Sequence, residues 1–263
     1  HWDVSQVTDM KNLFWGANFN EDIGNWDTSN VTDMNSMFNY TPTFNQPIGT
    51  WDVSSVTDMT NMFNGATVFN NGQTNNEGTA PLNWVVSDVK VMANMFNSAQ
   101  AFNQPIGNWD VSNVTSMYQM FLNNPVFNQP INTQEVTVNG STYTAWDVSN
   151  VSDMGYMFYR HGQSAAFNQS IGNWDVSLVT TMDSMFNGLT AFNQPIPTQE
   201  LTVNGSTYTA WDVSNVKSMS GMFSNSGFNN GQTNNEGTAP LYWDVSNVTD
   251  MSLMFGGPIF NQP

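Results

Sequence analysis

The chain of 263 residues contains no cysteine, only four lysine and arginine residues, and no long apolar run. Without cysteine it forms no disulfide bonds and no thiolate metal sites. Nucleic acids and anionic membranes are bound by basic residues that replace counterions, whereas 21 acidic residues give this chain a net charge of -17. Nucleic acid is therefore excluded as a partner and anionic membrane is disfavoured. Because no apolar run approaches the roughly 18 residues that span a bilayer, we expect no direct membrane insertion by this segment.

The chain consists largely of one unit written nine times. Each copy opens with Trp and reads approximately W-D-V-S-N-V-T-D-M-x-x-M-F-x-x-A-x-x-F-N-Q-P-I-G-N. The opening Trp residues are 24 to 37 residues apart, and a period of this size is typical of repeat proteins, in which each unit packs on its neighbours. We therefore interpret residues 1–263 as a single domain of nine repeats, and we expect it to be a segment of a longer chain because both ends lack a capping unit. The repeats begin at Trp2, Trp26, Trp51, Trp84, Trp109, Trp146, Trp174, Trp211 and Trp243.

The apolar positions of the unit recur in every copy. The first Met is followed four residues later by Phe, and a second Phe always precedes Asn. All 18 Phe belong to these two columns, so none remains for a special site. We interpret the Asn column as a structural ladder, because a side-chain amide can satisfy turn backbone groups in its own repeat and in the adjacent one. The ladder residues are Asn20, Asn45, Asn70, Asn103, Asn128, Asn168, Asn193, Asn229 and Asn261.

Two local patterns predict secondary structure within the repeat. The alternation of W-x-V predicts that I-G-N-W-D-V forms a short strand. The apolar residues of V-T-D-M-x-x-M-F are three and four apart, which predicts a short helix or 3₁₀ segment. The Ser or Thr and the Asp before the first Met suit the start of that segment. We therefore expect an α/β repeat with one short strand and one short helix per coil.

The repeated unit resembles the bacterial surface-protein repeat, of roughly 26 residues, found in the BspA-like leucine-rich-repeat surface protein family. The resemblance extends over all nine copies outside four inserts. It implies a leucine-rich-repeat-like right-handed solenoid with strands on one face and short helices on the other. It also implies adhesion or an unassigned role, and it brings no catalytic residues. The local departures from the unit are Leu13 in place of the second Met, Thr28 in place of Val, and Val85 in place of the Asp after Trp.

The four inserts all leave the repeat between F-N and the next Trp, so we expect them to project from one edge of the domain. Residues 69–82 and 228–241 share one Asn- and Gly-rich sequence and predict a surface loop. Loops on a rigid scaffold often carry binding function, although neutral duplication is an equally open explanation. The candidate contact residues on this edge are Asn75, Glu77, Asn139, Tyr143, Asn204, Tyr208, Asn234 and Glu236.

The other two inserts, residues 133–145 and 198–210, predict β-hairpins. In each, V-T-V or L-T-V and T-Y-T runs flank an Asn-Gly pair. Asn-Gly is the dipeptide that best suits a type I′ turn, because both central residues need a positive φ.

Acidic residues also form columns, of which the most regular follows the opening Trp. Like charges repeated at strand spacing repel, so these carboxylates must be solvated, hydrogen-bonded to the backbone or bridged by cations. We favour backbone capping, because Ca²⁺ needs six to eight converging oxygens and one Asp per coil supplies few. Calcium remains the alternative, and no other cofactor is expected. The candidate ligands are Asp3, Asp27, Asp52, Asp110, Asp147, Asp175, Asp212 and Asp244.

Little in the chain points to catalysis. The two histidines are His1 and His161, the single arginine is Arg160, and no nucleophile and base accompany them in sequence. An enzyme needs one asymmetric pocket, whereas this chain offers nine similar environments. We therefore expect no enzymatic activity.

Three functions remain open. The first is an extracellular module, on a cell or virion surface, that binds other surface proteins or glycans. The second is a structural subunit of an extracellular filament or virion fibre, in which copies stack end to end. The third is an ice or polysaccharide binder that uses a Thr column, although Lys90 and Lys217 interrupt that column.

Overall fold

A computed structural model gives the fold of most of the chain. It describes residues 2–75, 77–162, 165–233, 239–257 and 260–262. These residues contain no helix, and their strands form two antiparallel pairs. The strands are β1 (Gln134–Val138), β2 (Ser141–Ala145), β3 (Gln199–Val203) and β4 (Ser206–Ala210).

The predicted α/β architecture is therefore wrong. The described residues do not form a leucine-rich-repeat-like right-handed solenoid, because their coils have neither the expected strand nor the expected helix. Where I-G-N-W-D-V was expected to be extended, tight turns occur instead: in the third repeat Trp51 N donates to Ile48 O at 3.1 Å and Val56 N to Val53 O at 2.9 Å. In the described part of the chain, the β-bridges outside the hairpins are parallel, one at each junction between repeats, such as Asp33 with Asp58.

The M-x-x-M-F segment shows why the helical pattern was misleading. In the third repeat Met62 N donates to Met59 O at 3.2 Å, closing a turn, but Asn61 N donates to Ala93 of the next repeat at 2.9 Å. Phe63 N likewise donates to Met95 O of the next repeat, at 2.9 Å. An α-helix would direct these amides to carbonyls four residues back. Asn61 also has a φ of 56°, which takes the backbone out of the right-handed helical region.

The apolar columns of the repeat form a continuous core between successive repeats. Phe96 is completely buried, and its ring centroid lies 5.6 Å from that of Phe63 in the preceding repeat and 5.7 Å from that of Phe121 in the next. Within its own repeat it stacks on Phe102 at 3.8 Å. Stacked aromatic pairs contribute beyond the area they bury. The same columns that a strand and a helix were expected to bury are thus buried by a series of turns.

Two hairpins interrupt this regular stack. Hairpin A comprises β1 and β2, hairpin B comprises β3 and β4, and both have the predicted two-residue turn. Asn139 and Gly140 have φ values of 51° and 84°, and Asn204 and Gly205 have 48° and 78°. Positive φ at both central residues is the requirement of a type I′ turn. These two antiparallel pairs are the regular secondary structure of the described residues.

Candidate binding surface

Each hairpin is held against the stacked repeats at its base and along one strand. At the base of hairpin A, the Thr133 hydroxyl donates to Trp146 O at 2.7 Å. Along β2, the Tyr143 hydroxyl donates to Asn108 O at 2.5 Å. Hairpin B repeats both contacts: the Thr198 hydroxyl donates to Trp211 O at 3.0 Å, and the Tyr208 hydroxyl donates to Asn173 O. The hairpins therefore lie on the surface of the stack in fixed orientations.

The two hairpins follow one another along this surface. The Asn204 side-chain amide, at the tip of hairpin B, donates to the Thr144 hydroxyl at the base of hairpin A at 3.3 Å. The corresponding tip residue of hairpin A, Asn139, is exposed. The structure thus brings the Asn204 amide of the predicted contact set against hairpin A, although Asn204, like Asn139, remains exposed.

A cleft lies beneath each hairpin tip. Cleft A, of about 400 Å³, has the Trp84–Ser87 segment and Asp110 on one side and the tip and β2 of hairpin A on the other. Cleft B, of about 230 Å³, has Asp147, Ser149 and Asp175 on one side, hairpin B on the other, and Thr133 and Thr144 of hairpin A at its end. Residues at equivalent repeat positions therefore form both clefts. The residues that line cleft A are Trp84, Val85, Val86, Ser87, Asp110, Val138, Asn139, Ser141, Thr142 and Tyr143.

The two clefts differ in charge. Burial raises the pKa of the Tyr208 phenol, and the negative charges of Asp175 and Asp147 raise it further. The pKa of Tyr143 is raised by burial and by Asp110. The repeat position of Asp147 is occupied in cleft A by Val85, whose side chain is 54% exposed. Cleft A is consequently less acidic and has an apolar side chain at its surface.

The loop inserts occupy a different part of the surface from the hairpin tips. In residues 69–82, the Asn71 side-chain oxygen accepts the Ile48 N–H at 2.7 Å, and its amide donates to Ala80 O at 2.9 Å. Asn75 is exposed, and its carbonyl accepts the side-chain amide of Asn70 at 2.7 Å. Glu77 is also exposed, and its N–H contacts the Asn75 side-chain oxygen at 3.4 Å. The predicted contact residues Asn234 and Glu236 lie outside the described residues, as does His1.

The Asn column links every pair of adjacent repeats. The side-chain oxygen of each of the first eight Asn accepts the backbone N–H of the corresponding Asn in the next repeat, at 2.7 to 3.0 Å. Each amide oxygen therefore satisfies a backbone donor of the following F-N turn. The linked residues are Asn20, Asn45, Asn70, Asn103, Asn128, Asn168, Asn193, Asn229 and Asn261.

The Asp residues that follow the opening Trp cap turns. The Oδ1 of each accepts the N–H of the serine two residues later, at 3.0 to 3.2 Å, for Asp3, Asp27, Asp52, Asp110, Asp147, Asp175, Asp212 and Asp244. Hydrogen bonds from Ser5 lower the pKa of Asp3, and those from Ser29 lower the pKa of Asp27. Among the described residues, no three His, Asp or Glu side chains converge as a metal site.

A second acidic column, which directly precedes the first Met of the repeat and includes Asp153 and Asp250, gives a prediction that depends on pH. Burial and the Asp183 charge raise the pKa of Asp153 above its ordinary 3.8, despite a hydrogen bond from Gly155 N at 2.9 Å. A raised pKa means that the folded state holds the proton more tightly, so stability falls as pH rises through the interval above 3.8. We therefore expect Asp153→Asn to increase the free energy of unfolding at pH 7 and to change it little at pH 3, measured by urea unfolding.

Asp250 is the matched control, because it occupies the same repeat position and its Oδ1 accepts the Ser252 N–H at 2.8 Å. Hydrogen bonds from Ser252 lower the pKa of Asp250 in the folded state. The stability that Asp250 contributes is therefore present above its pKa in the unfolded chain and is lost as pH falls through its pKa in the folded chain. Asp250→Asn should accordingly reduce stability at pH 7. Equal effects of both substitutions at pH 7 would contradict the assigned difference in environment.

Arg160 and His161 line a cavity that the sequence did not predict. The cavity measures about 580 Å³, and its other wall includes Asn187 and Thr190. Arg160 Nη1 donates to Asn123 O at 3.2 Å. The available signal was that the single arginine of the chain directly precedes a histidine.

Fold and surface together define a class of protein: stacked repeats that form a scaffold for two surface hairpins. The family described as "Mycoplasma protein of unknown function, DUF285" matches residues 1–79, 79–139 and 133–263, and the chain belongs to this family. The family is in general one of BspA-like surface repeats, so the resemblance is confirmed at that level, whereas the leucine-rich-repeat fold that it implied is wrong.

No curated protein matches the chain, and no solved structure matches it. Among the described residues, no helix has the length and apolar character needed to cross a bilayer.

Proposed function

We propose that the chain is a non-enzymatic module of an extracellular surface protein that binds other surface proteins or glycans through its hairpins. Membership of a family of surface-type repeat proteins supports the location. The observation that carries the binding role is cleft A, an open cleft of about 400 Å³ between a fixed hairpin and the repeats. Binding sites usually combine a concave apolar surface with a few polar groups, and cleft A has Val85 beside Asn139 and Asp110.

The stack of repeats suits a scaffold better than an active site. Trp109 and Phe96 are completely buried, and the residues of the same columns in the adjacent repeats are also buried. Each hairpin is anchored to this core through a tyrosine hydroxyl, Tyr143 or Tyr208. A contact surface that is already ordered loses little conformational entropy on binding, which favours affinity. Nine similar environments offer no single asymmetric arrangement of acid, base and nucleophile.

The test removes the hairpins without removing a repeat. Replacing residues 132–145 and residues 197–210 by Gly-Asn recreates the Ile-Gly-Asn-Trp connection that the chain itself uses between Ile106 and Trp109. We expect the double replacement to weaken binding to glycan and surface-protein arrays at least about tenfold, because it removes one wall of both clefts. Glu77→Gln, in a loop insert away from both clefts, is the control. Array binding that persists without the hairpins would contradict the proposal, provided that circular dichroism shows an intact fold.

A further inference from the structure

The two hairpins have the same sequence around their tips but different neighbours. Both read V-N-G-S-T-Y-T-A from the end of the first strand through the second. The tip of hairpin B lies against the base of hairpin A, where Asn204 donates to the Thr144 hydroxyl at 3.3 Å. Thr133, also from the base of hairpin A, lines cleft B as well. Hairpin B therefore shows what this tip sequence contacts when an extended segment lies beside it.

Cleft A has the same walls but no such neighbour among the described residues that line it. Its volume is about 400 Å³, compared with about 230 Å³ for cleft B. The preceding insert, in the position from which another hairpin would reach cleft A, is the loop of residues 69–82. This loop is bound instead to two F-N-Q-P-I segments, because the Asn71 side-chain oxygen accepts the Ile48 N–H and Ala80 N donates to the Gln104 side-chain oxygen. The space that the base of hairpin A fills in cleft B is therefore open in cleft A.

The floor of cleft A differs from the rest of its column by one substitution. Val85 takes the place that Asp occupies in the other eight repeats. Its side chain is 54% exposed, while the neighbouring Trp84 and Val86 are buried. A valine at the surface of a cleft gains free energy when an apolar group covers it, roughly 25 cal/mol per Å² of apolar surface. In cleft A the charge of Asp110 raises the pKa of Tyr143, whereas in cleft B two carboxylates, Asp175 and Asp147, raise the pKa of Tyr208.

We propose that cleft A binds an extended, threonine-containing polypeptide segment of a partner protein, in the place that the base of hairpin A takes in cleft B. This inference rests on the proposed binding function and specifies its ligand. A threonine hydroxyl of the segment accepts a hydrogen bond from the Asn139 side-chain amide, as Thr144 does from Asn204. An adjacent apolar side chain covers Val85. Recognition of extended segments through alternating side chains is a common mode of peptide binding.

The probe is the capped peptide acetyl-Ser-Thr-Tyr-Thr-Ala-amide, which has the sequence of β2. With ¹⁵N-labelled protein, we expect it to shift the amide signals of Val85, Asn139 and Tyr143. Val85→Asp should weaken binding about tenfold or more, because it returns a charge to the floor that the apolar group must desolvate. Val85→Ile keeps the apolar floor and should bind within about twofold of the original chain.

Three further comparisons test the position of the ligand. A peptide with Val in place of its second Thr should bind about 2- to 10-fold more weakly, as expected for one lost hydrogen bond. Asn139→Ala should remove that difference between the peptides, whereas Asn204→Ala, at the occupied cleft, should leave it unchanged. The inference is overturned if the peptide shifts no signals at cleft A, or if Val85→Asp binds as well as the original chain.

The outcome also separates this inference from the proposed function. Array binding that is lost with the hairpins but unaffected by Val85→Asp would retain the binding role and reject the extended segment in cleft A. If a glycan rather than a peptide shifts the signals of Val85 and Asn139, the polypeptide assignment is wrong. Array binding that is independent of the hairpins would reject the proposed function itself.

Discussion

Trp109→Ala is expected to reduce the free energy of unfolding by about 3–5 kcal/mol, within the range measured for large aromatic residues truncated in protein cores. The indole of Trp109 is completely buried and lies 6.1 Å, between ring centroids, from that of Trp84. Its Nε1 donates to Leu82 O of the preceding repeat at 2.9 Å. Alanine would therefore leave a cavity and a buried carbonyl without its donor, and both effects destabilise the fold.

Trp2 is the matched control for this prediction. It occupies the same column, but its side chain is 68% exposed. Trp2→Ala should accordingly cost less than about 1 kcal/mol. The measurement is urea unfolding followed by far-ultraviolet circular dichroism, with hydrogen exchange of the amides around Trp84 as a local readout, since repeat proteins can unfold in parts. Similar losses for the two variants would show that the Trp column does not stabilise the junctions between repeats.

The burial of the repeat could be predicted from its sequence, but its backbone path could not. Met, Met and Phe at spacings of three and four face the core in a helix, and they also face it in the consecutive turns that the structure contains. The two conformations differ in where the amides donate, because Asn61 N and Phe63 N bind the next repeat. That choice depends on the neighbouring repeat, which local periodicity does not describe. Hydrogen bonds between repeats therefore override the local helical preference.

A signal for the turns was nevertheless present in the sequence. The residue two positions after the first Met is Asn or Gly in four of the nine repeats, and these types adopt positive φ more readily than most. In the structure this position has positive φ in every repeat, as at Asn94 with 57° and Gly221 with 64°. Asn or Gly at this position inside an apparent helix indicates a break in the copies that contain it.

The candidate site was partly visible in the sequence. The Asn-Gly pairs indicated both hairpins, because the turn type is decided by two adjacent residues. The sequence also showed that Val85 departs from the Asp column. It did not show that hairpin A folds back over Val85, since that direction depends on the contact of Tyr143 with Asn108 in a preceding repeat. The cleft arises from this long-range contact, which no local pattern encodes.

The Asn column leads to the second large expected effect. The Asn70 side chain is 1% exposed and makes three hydrogen bonds that hold two neighbouring segments. Its oxygen accepts Asn103 N at 3.0 Å and Gln104 Nε2 at 2.8 Å, and its amide donates to Asn75 O at 2.7 Å. We expect Asn70→Ala to cost about 3–5 kcal/mol, because each buried group that loses its partner costs about 1–3 kcal/mol and the structure relaxes in part.

Asn20 provides the comparison, because it belongs to the same column but is exposed. Its oxygen accepts Asn45 N at 2.8 Å, and water can replace it there, so Asn20→Ala should cost less than about 1 kcal/mol. Urea unfolding gives the two free energies, and the Asn103 amide should exchange its hydrogen faster in Asn70→Ala. If both substitutions are equally mild, stacking of the aromatic columns holds the repeats together, and the hydrogen bonds of the Asn column add little stability. If Asn70→Ala is severe, the recurrence of Asn has a physical reason: a buried F-N turn, such as that of Asn103, has a backbone donor that the preceding repeat satisfies.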